Sequence, residues 1–439
     1  MKFGSSLRYR LAAAIFALAL TAPGAAQQAA PQTQGAHTGH GAHAGHGAAA
    51  LTNLQGLADR YVAEGKTANM VIGVAMPSGE TAWVKAGTLA MRGTTPADEQ
   101  SLYRIYSMTK PIVGLATALL IGDGKLTLDT PLSDIYPEFS DMQVLVDPET
   151  PGETRPATRP ITIRNLITHT AGLGYSIVPS GVAELYRTQG IVPGMRRPNP
   201  MMPSGEQPAS LDDFVSLVAK QPLITDPGTE WRYSIGLDVM GAVIQKVSGM
   251  PLEDFLQQRI FTPLGMDDTG FVVPQEDLGR LTTNYFLMDG SLIPIDNPNN
   301  SEYSAPAPFP SGGGGLASTG EDYLRFMTAL ANGGMLEGRQ VLPAEAIALV
   351  TSNLLPEGVT YESGGYGAGG RVVTRADTGP MGSYGWGGAA GTLATALPAQ
   401  GTAAVLMTQY MPQDAYPLPK DLAAALMADM MAMGAANDN

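Results

Sequence analysis

Tyr103-Arg-Ile-Tyr-Ser-Met-Thr-Lys-Pro111 puts Ser107 three residues before Lys110, where a strand-like run passes into an apolar helix over residues 112–121. On a helix, positions i and i+3 share a face, so the hydroxyl and the amine become neighbours. Pro111 falls in or beside the first turn, where its missing N–H costs little. The positive helix end and its backbone N–H groups favour an anion forming there. A serine nucleophile needs a base, and a lysine partly desolvated in a cleft can have its pKa lowered enough to serve. Ser-x-x-Lys also occurs by chance on surface helices, so the rest of the chain must decide.

Upstream, residues 53–65 carry helical periodicity. Residues 69–76 and 81–87 read as two strands joined by Pro77-Ser-Gly79, an antiparallel hairpin. Downstream, from about 126 to 273, helical patterns dominate. Thr162 opens a short helix over 163–168, and Ser210 with Asp213 caps a helix running to about Lys220. Two further helices read over 235–247 and 252–260. Proline-rich loops at 147–160 and 192–208 exceed ordinary connectors and are expected to shape a substrate cleft. After about Pro274 come helices over 321–331 and 344–351, strands over 369–374, 391–397 and 402–408, and an apolar C-terminal helix over 422–433. The expected fold is α+β: the early hairpin and the late strands form one antiparallel sheet flanked by helices. A sheet subdomain (about 51–125 and 274–435) then receives an inserted, mainly helical subdomain (about 126–273). Catalytic groups from the two would meet at their boundary, where ligand sites prefer to lie.

The first 26 residues read as a secretory signal. Lys2, Arg8 and Arg10 supply the positive start, residues 11–21 the apolar run, and Gly24-Ala-Ala26 the cleavage site. That run is shorter than the roughly 20 residues a membrane span needs. The expectation is a periplasmic or secreted protein with no stable membrane insertion after cleavage; an uncleaved anchor is the alternative. The chain has no cysteine, which removes disulfides, thiolate catalysis and lipid attachment through cysteine. Its formal charge is −14, and about −17 without the three leader cations, which argues against nucleic acid or anionic membranes as partners. Residues 27–50 are a low-complexity Ala/Gly/Gln/His stretch read as a disordered linker. His37, His40, His43 and His46 recur in it every third residue. They allow either metal chelation or a plain tether, and no carboxylate or supporting residue accompanies them.

Several later residues can carry chemistry. Tyr233-Ser-Ile235 follows Pro227-Gly-Thr-Glu-Trp231 at a helix start. A tyrosine held as phenolate by a nearby lysine can take a proton from Ser107 and pass it to a leaving group, whereas taken alone it reads as a buried tyrosine with a bonded hydroxyl. In Tyr384-Gly-Trp-Gly-Gly-Ala-Ala-Gly-Thr392, glycines let the backbone approach a substrate. Trp386, Gly387 and Gly388 are the candidate substrate-binding residues, and the Ala389 amide can join that of Ser107 as an oxyanion hole, whereas taken alone the stretch reads as a tight turn with a packed tryptophan. Ser311-Gly-Gly-Gly-Gly-Leu316 lacks the Lys-Ser/Thr of a phosphate loop and reads as a strand or turn needing close backbone packing. His169 is the one histidine after the linker. Without a Gly-x-Ser-x-Gly elbow its reading is structural and hydrogen-bonded. Asp238, one helical turn beyond Tyr233, reads as a local cap or pairing residue.

Together, Ser107-Met-Thr-Lys110, Leu166-Ile-Thr-His-Thr-Ala-Gly-Leu173, Tyr233-Ser, Pro263-Leu-Gly-Met266, Gly312 to Leu316 and Trp386-Gly-Gly388 resemble the serine β-lactamase and penicillin-binding-protein superfamily. The branch they are most similar to is the class C-related hydrolases, which include family VIII carboxylesterases and 6-aminohexanoate-dimer hydrolases. The resemblance covers residues 51–435. It implies a β-lactamase-like fold and an acyl-serine mechanism: Ser107 as nucleophile, Lys110 as its activating partner, Tyr233 as proton relay, and the amides of Ser107 and Ala389 as oxyanion donors. It implies no metal or organic cofactor. Two departures bear on substrate. Ile235 stands where β-lactamases of this type carry a substrate-binding asparagine, and Trp386-Gly-Gly stands in place of Lys-Thr-Gly. Both weaken lactam binding and point to carboxylic esters of small or medium acyl groups. An amidase or peptidase on short linear amides, a weak β-lactamase, an acylable sensor and a metal-binding protein remain open, as does the oligomeric state.

Overall fold

The computed structural model of the chain describes residues 51–197 and 203–437. The leader (1–26), the linker (27–50) with its four histidines, and residues 198–202 of the loop at 192–208 lie outside the described residues.

The hairpin Asn69–Ala75 and Thr81–Gly87 pairs in register from Asn69↔Gly87 to Ala75↔Thr81. Its first strand also pairs with Thr402–Met407, opposite Val71↔Met407 to Ala75↔Ala403. From there the sheet continues through Leu393–Leu397, Tyr384–Gly387, Arg371–Val373 and Gly364–Tyr366, seven strands with every neighbour antiparallel. The first and last parts of the chain thus form one sheet. The last of its strands in that order, Gly364–Tyr366, is one the alternation pattern did not flag, because two of its three residues are glycine.

Each face of the sheet is covered by helices. On one, Thr52–Ala63 and the C-terminal helix Leu418–Asn437 bury Leu54, Leu57 and Tyr61 with Ile72, Leu406 and Leu422. The Asp429 carboxylate accepts the amides of Asn53 and Leu54 at 2.8 and 2.9 Å, so one helix caps the other. On the other face lie Gly320–Ala331 and Thr109–Gly122. The latter is buried all round from Thr109 to Leu120, as its uninterrupted apolar sequence requires. At Gly114 a Cβ would sit 2.1 Å from the Ala368 carbonyl oxygen, so only glycine lets this helix lie against the sheet end.

Residues 126–273 are mainly helical, as expected. Thr162 and Asn165 form a reciprocal capping box on Ile163–Ile167, and Ser210 caps Leu211–Val218 through the Asp213 amide. The helix Gly236–Ser248 is followed by Leu252–Leu256, which widens into a π turn over Gln257–Phe261. Two features were not expected. Asn284–Met288 and Ser291–Asp296 form a second hairpin, with Tyr410–Met411 parallel to its first strand. Leu102–Arg104, leading to Ser107, pairs with Ala317–Thr319 outside the main sheet. Among the described residues no helix is long and apolar enough to cross a membrane.

Candidate active site

Ser107 lies in a short 3-10 turn, Tyr106–Met108, that runs into the helix Thr109–Gly122. The turn is held at both ends. The Ile105 amide donates to the Leu316 carbonyl at 3.1 Å, and the Tyr323 hydroxyl donates to the Met108 carbonyl at 2.7 Å. Tyr106 has φ of 43°, a left-handed conformation unusual for an aromatic residue, which kinks the backbone just before the serine. Pro111 sits in the first helical turn, as expected.

Three side chains converge there. The Tyr233 hydroxyl donates to Ser107 Oγ at 2.6 Å, and Lys110 Nζ lies 3.3 Å from the same oxygen. Lys110 is fully buried, donates to the Gly313 carbonyl at 2.6 Å, and lies 4.6 Å above the centre of the Tyr233 ring.

Tyr233 is aimed by its backbone. The Arg232 amide donates to the His169 carbonyl at 2.9 Å and the Ile235 amide to the Gly174 carbonyl at 3.0 Å. Gly236 passes so close to Leu166 that a Cβ would lie 2.5 Å from its carbonyl oxygen. His169 Nδ1 faces Ser234, with the amide at 3.3 Å and the hydroxyl oxygen at 2.9 Å. Burial, and then the Lys110 charge, push the His169 pKa well below the ordinary imidazole range, so it is a neutral acceptor. This agrees with a hydrogen-bonded, structural histidine.

The Gly-rich run Ser311 to Leu316 is a turn whose carbonyl at Gly313 receives Lys110. Behind it is Asp238. Its Oδ1 accepts from the Ser311 hydroxyl at 2.5 Å and from the Gly313 amide at 2.9 Å, so its partners lie far away in sequence rather than on its own helix. The signal for this was a lone acid in the apolar run Leu237-Asp-Val-Met240.

Trp386, Gly387 and Gly388 run along and off the end of the strand Tyr384–Gly387. A Cβ on Gly388 would meet the Ile105 carbonyl oxygen at 2.4 Å, so the following turn, with Ala389, lies against the turn bearing Ser107. The half-buried Trp386 ring is centred 5.9 Å from Tyr233 and 5.3 Å from Tyr366. Trp231 and Tyr361, whose centroids are 4.5 Å apart, extend this aromatic wall. Sequence reasoning assigned no role to Trp231, Tyr361 or Tyr366, since isolated aromatics in glycine-rich loops show no periodicity. Among the described residues no three His, Asp or Glu side chains converge as a metal site. His37, His40, His43 and His46 lie outside them.

A family model described as Beta-lactamase matches residues 54–428. The chain is 33% identical over 349 residues to "Uncharacterized protein MT1414" of Mycobacterium tuberculosis (strain CDC 1551 / Oshkosh), covering 75% of this chain and 82% of that protein. It is 32% identical over 300 residues to "Esterase EstB" of Burkholderia gladioli, covering 64% of this chain and 71% of that one. Among solved structures, "EstCE1, a hydrolase with promiscuous acyltransferase activity" superposes with a TM-score of 0.69 at 24% identity, over 85% of this chain and 97% of that one.

Proposed function

The chain belongs to the beta-lactamase family of serine enzymes, and from that premise we propose that it is an exported carboxylesterase acting through an acyl-Ser107 intermediate. At the coarser level it is a serine hydrolase or acyl-transferase of the β-lactamase fold. The observation that carries the finer reading is the convergence of Tyr233 Oη and Lys110 Nζ on Ser107 Oγ, at 2.6 and 3.3 Å.

In this reading Ser107 Oγ attacks the ester carbonyl carbon while its proton passes to the Tyr233 phenolate. The carbonyl π pair moves to oxygen, where the amides of Ser107 and Ala389 receive the oxyanion. Collapse breaks the bond to the alcohol oxygen, which leaves with the proton from Tyr233. Water then attacks the acyl carbon, gives its proton to Tyr233, and the second collapse returns a proton to Ser107 Oγ as the acid departs. Lys110 Nζ, 3.3 Å from Ser107 Oγ and 4.6 Å from the centre of the Tyr233 ring, stands where positive charge lowers the cost of the negative charge that moves between them.

Ile235 is fully buried and cannot hydrogen-bond an amide, and Trp386 offers an apolar wall where a cation would be needed for an anionic antibiotic. An ester also asks less of the proton donor than an amide, because an alkoxide leaves more readily than an amide nitrogen that has not been protonated. EstB is named as an esterase, which favours the same chemistry here. The leader motif at residues 1–26 supports a periplasmic or secreted location.

The test is steady-state turnover of p-nitrophenyl butyrate and of a chromogenic cephalosporin by the wild type and by Ser107→Ala. Ester turnover that vanishes in Ser107→Ala, with little cephalosporin turnover in the wild type, is the expected result. Strong cephalosporin turnover would reverse the substrate assignment, and ester turnover that persists in Ser107→Ala would reverse the mechanism.

A further inference from the structure

Asp238 is a completely buried carboxylate that the proposed acyl-transfer steps do not use. It lies on the helix Gly236–Ser248, one turn beyond Tyr233, among Leu237, Val239 and Met240. An ionisable group so placed is costly unless it is paired, bonded and put to use. Its Oδ1 takes two donors, the Ser311 hydroxyl at 2.5 Å and the Gly313 amide at 2.9 Å. Its Oδ2 is buried without a hydrogen-bond partner among the described residues. Gly313 has no room for a side chain, because a Cβ would lie 2.3 Å from Asp238 Oδ2.

The same Gly313 presents its carbonyl oxygen to Lys110 Nζ at 2.6 Å. One glycine is therefore held by a carboxyl group on its amide side and holds the Lys110 side chain on its carbonyl side. The charged or titratable side chains facing Asp238 are Lys110 from the helix Thr109–Gly122 and Tyr175 from the loop after Ile163–Ile167. Tyr233 and His169 stand next around Lys110. Burial pushes the Asp238 carboxyl above its ordinary range, while the Lys110 charge and the Ser311 and Gly313 donors pull it back.

We propose that Asp238 is a positioning residue: it fixes Gly313, whose carbonyl aims Lys110 Nζ at Ser107. This rests on the acyl-serine reading above. Without an acceptor at position 238 the Gly313 amide is released, and the carbonyl that receives Lys110 is no longer held.

The test separates kcat from KM for p-nitrophenyl butyrate. Asp238→Asn keeps an oxygen acceptor for Ser311 and Gly313 and is expected to hold kcat within about tenfold of the wild type. Asp238→Ala removes the acceptor and is expected to lower kcat about a hundredfold with KM little changed, because Lys110 is no longer aimed. Asp238→Ser, shorter than aspartate, carries the same expectation should the alanine variant not fold. Equal kcat in Asp238→Asn and the shortened variants, or a loss that falls on KM instead of kcat, overturns the proposal. Ser107→Ala is measured alongside. Surviving ester turnover there overturns the acyl-serine reading itself, whereas a dead Ser107→Ala with equal kcat in the Asp238 variants removes only the role of Asp238.

Discussion

Gly388 rests directly on Ile105: a Cβ at position 388 would lie 2.4 Å from the Ile105 carbonyl oxygen and 2.2 Å from Thr392 Oγ1. Ile105 is two residues before Ser107, and Ala389 follows Gly388, so the spacing of the two proposed oxyanion amides is set backbone against backbone. Gly388→Ala is expected to force the strand end away from the serine turn. A displacement near 1 Å at such a site costs about a hundredfold in kcat/KM. Gly387→Ala is the matched control. There a Cβ would meet the Thr392 carbonyl oxygen at 3.2 Å and Leu393 Cδ1 at 3.5 Å, contacts that a small shift relieves. It should lose less than about tenfold by the same scale. Equal losses in the two variants would remove the argument from backbone contact.

Tyr233→Phe separates the hydroxyl from the ring. The ring contacts with His169, at 4.9 Å between centroids, and with Trp386, at 5.9 Å, remain. The bond to Ser107 Oγ does not. Removing a proton relay should lower kcat by about 10²–10⁴ with KM little changed. The melting temperature should hold, because among the described residues the lost hydroxyl bonds only to the partly buried Ser107. Lys110→Met should lose both activity and stability, since it strips the buried Gly313 carbonyl of its donor. Kinetics and thermal melts of the two variants side by side check this, and a Tyr233→Phe enzyme retaining most of its rate would rule out the relay.

Much of the architecture was legible because its signals are local and periodic. The hairpin Asn69–Ala75 and Thr81–Gly87, the apolar helix after Ser107 and the Thr162 and Ser210 caps all follow from spacing and cap chemistry. Ser107, Lys110 and Tyr233 were readable as types able to exchange a proton, and the structure brings them together. Asp238 was misjudged as a local partner because its bonds reach 73 and 75 residues ahead, which no periodicity encodes. The strand Gly364–Tyr366 and the aromatic wall of Trp231, Tyr361 and Tyr366 were missed for a related reason. Glycine-rich segments carry no pattern until a neighbouring backbone fixes them.

His169 makes stability depend on pH in a predictable direction. Its folded pKa lies well below the unfolded value of about 6.5. Between those two values the unfolded chain binds a proton that the folded one refuses, so stability falls as pH falls through that window. The slope is about 1.4 kcal/mol per pH unit at most. Asp322 works in the opposite sense: burial raises its pKa to about 6, so the folded state takes up a proton first and gains stability as pH falls from about 6 towards 4. The difference between wild type and His169→Asn is therefore the useful readout. Asparagine tolerates the φ of 57° at this position and can place an oxygen where Nδ1 accepts from Ser234. Urea unfolding from pH 7.5 down to 5 should show a flatter acid slope for His169→Asn. Parallel curves would mean that the imidazole takes up its proton as readily in the fold as in the unfolded chain.

Arg104 ties the strand before Ser107 to the second hairpin. It is fully buried, and its guanidinium donates to the Asp296 carboxylate, to the Thr282 carbonyl at 2.6 Å, to Gln409 Oε1 at 3.2 Å and to Ser301 Oγ at 3.3 Å. Asp296 is further held by the Ser301 hydroxyl at 2.9 Å and the Glu302 amide at 3.0 Å. Removing one member of such a network strands the other charge, which costs about 3–5 kcal/mol, whereas removing both can be far milder. Arg104→Met is therefore expected to lose that much in urea unfolding. Arg104→Met/Asp296→Leu should lose less than the sum of its single variants by well over 1 kcal/mol. Activity measured well below the melting temperature should stay within several-fold of wild type in the double variant. The serine turn is also held independently, by the Ile105 amide on Leu316 and by the pairing of Leu102–Arg104 with Ala317–Thr319. Additive losses in the cycle would mean that the ion pair is incidental to the fold. A double variant that is stable but inactive would mean that Arg104 acts on the site through more than the strand it anchors.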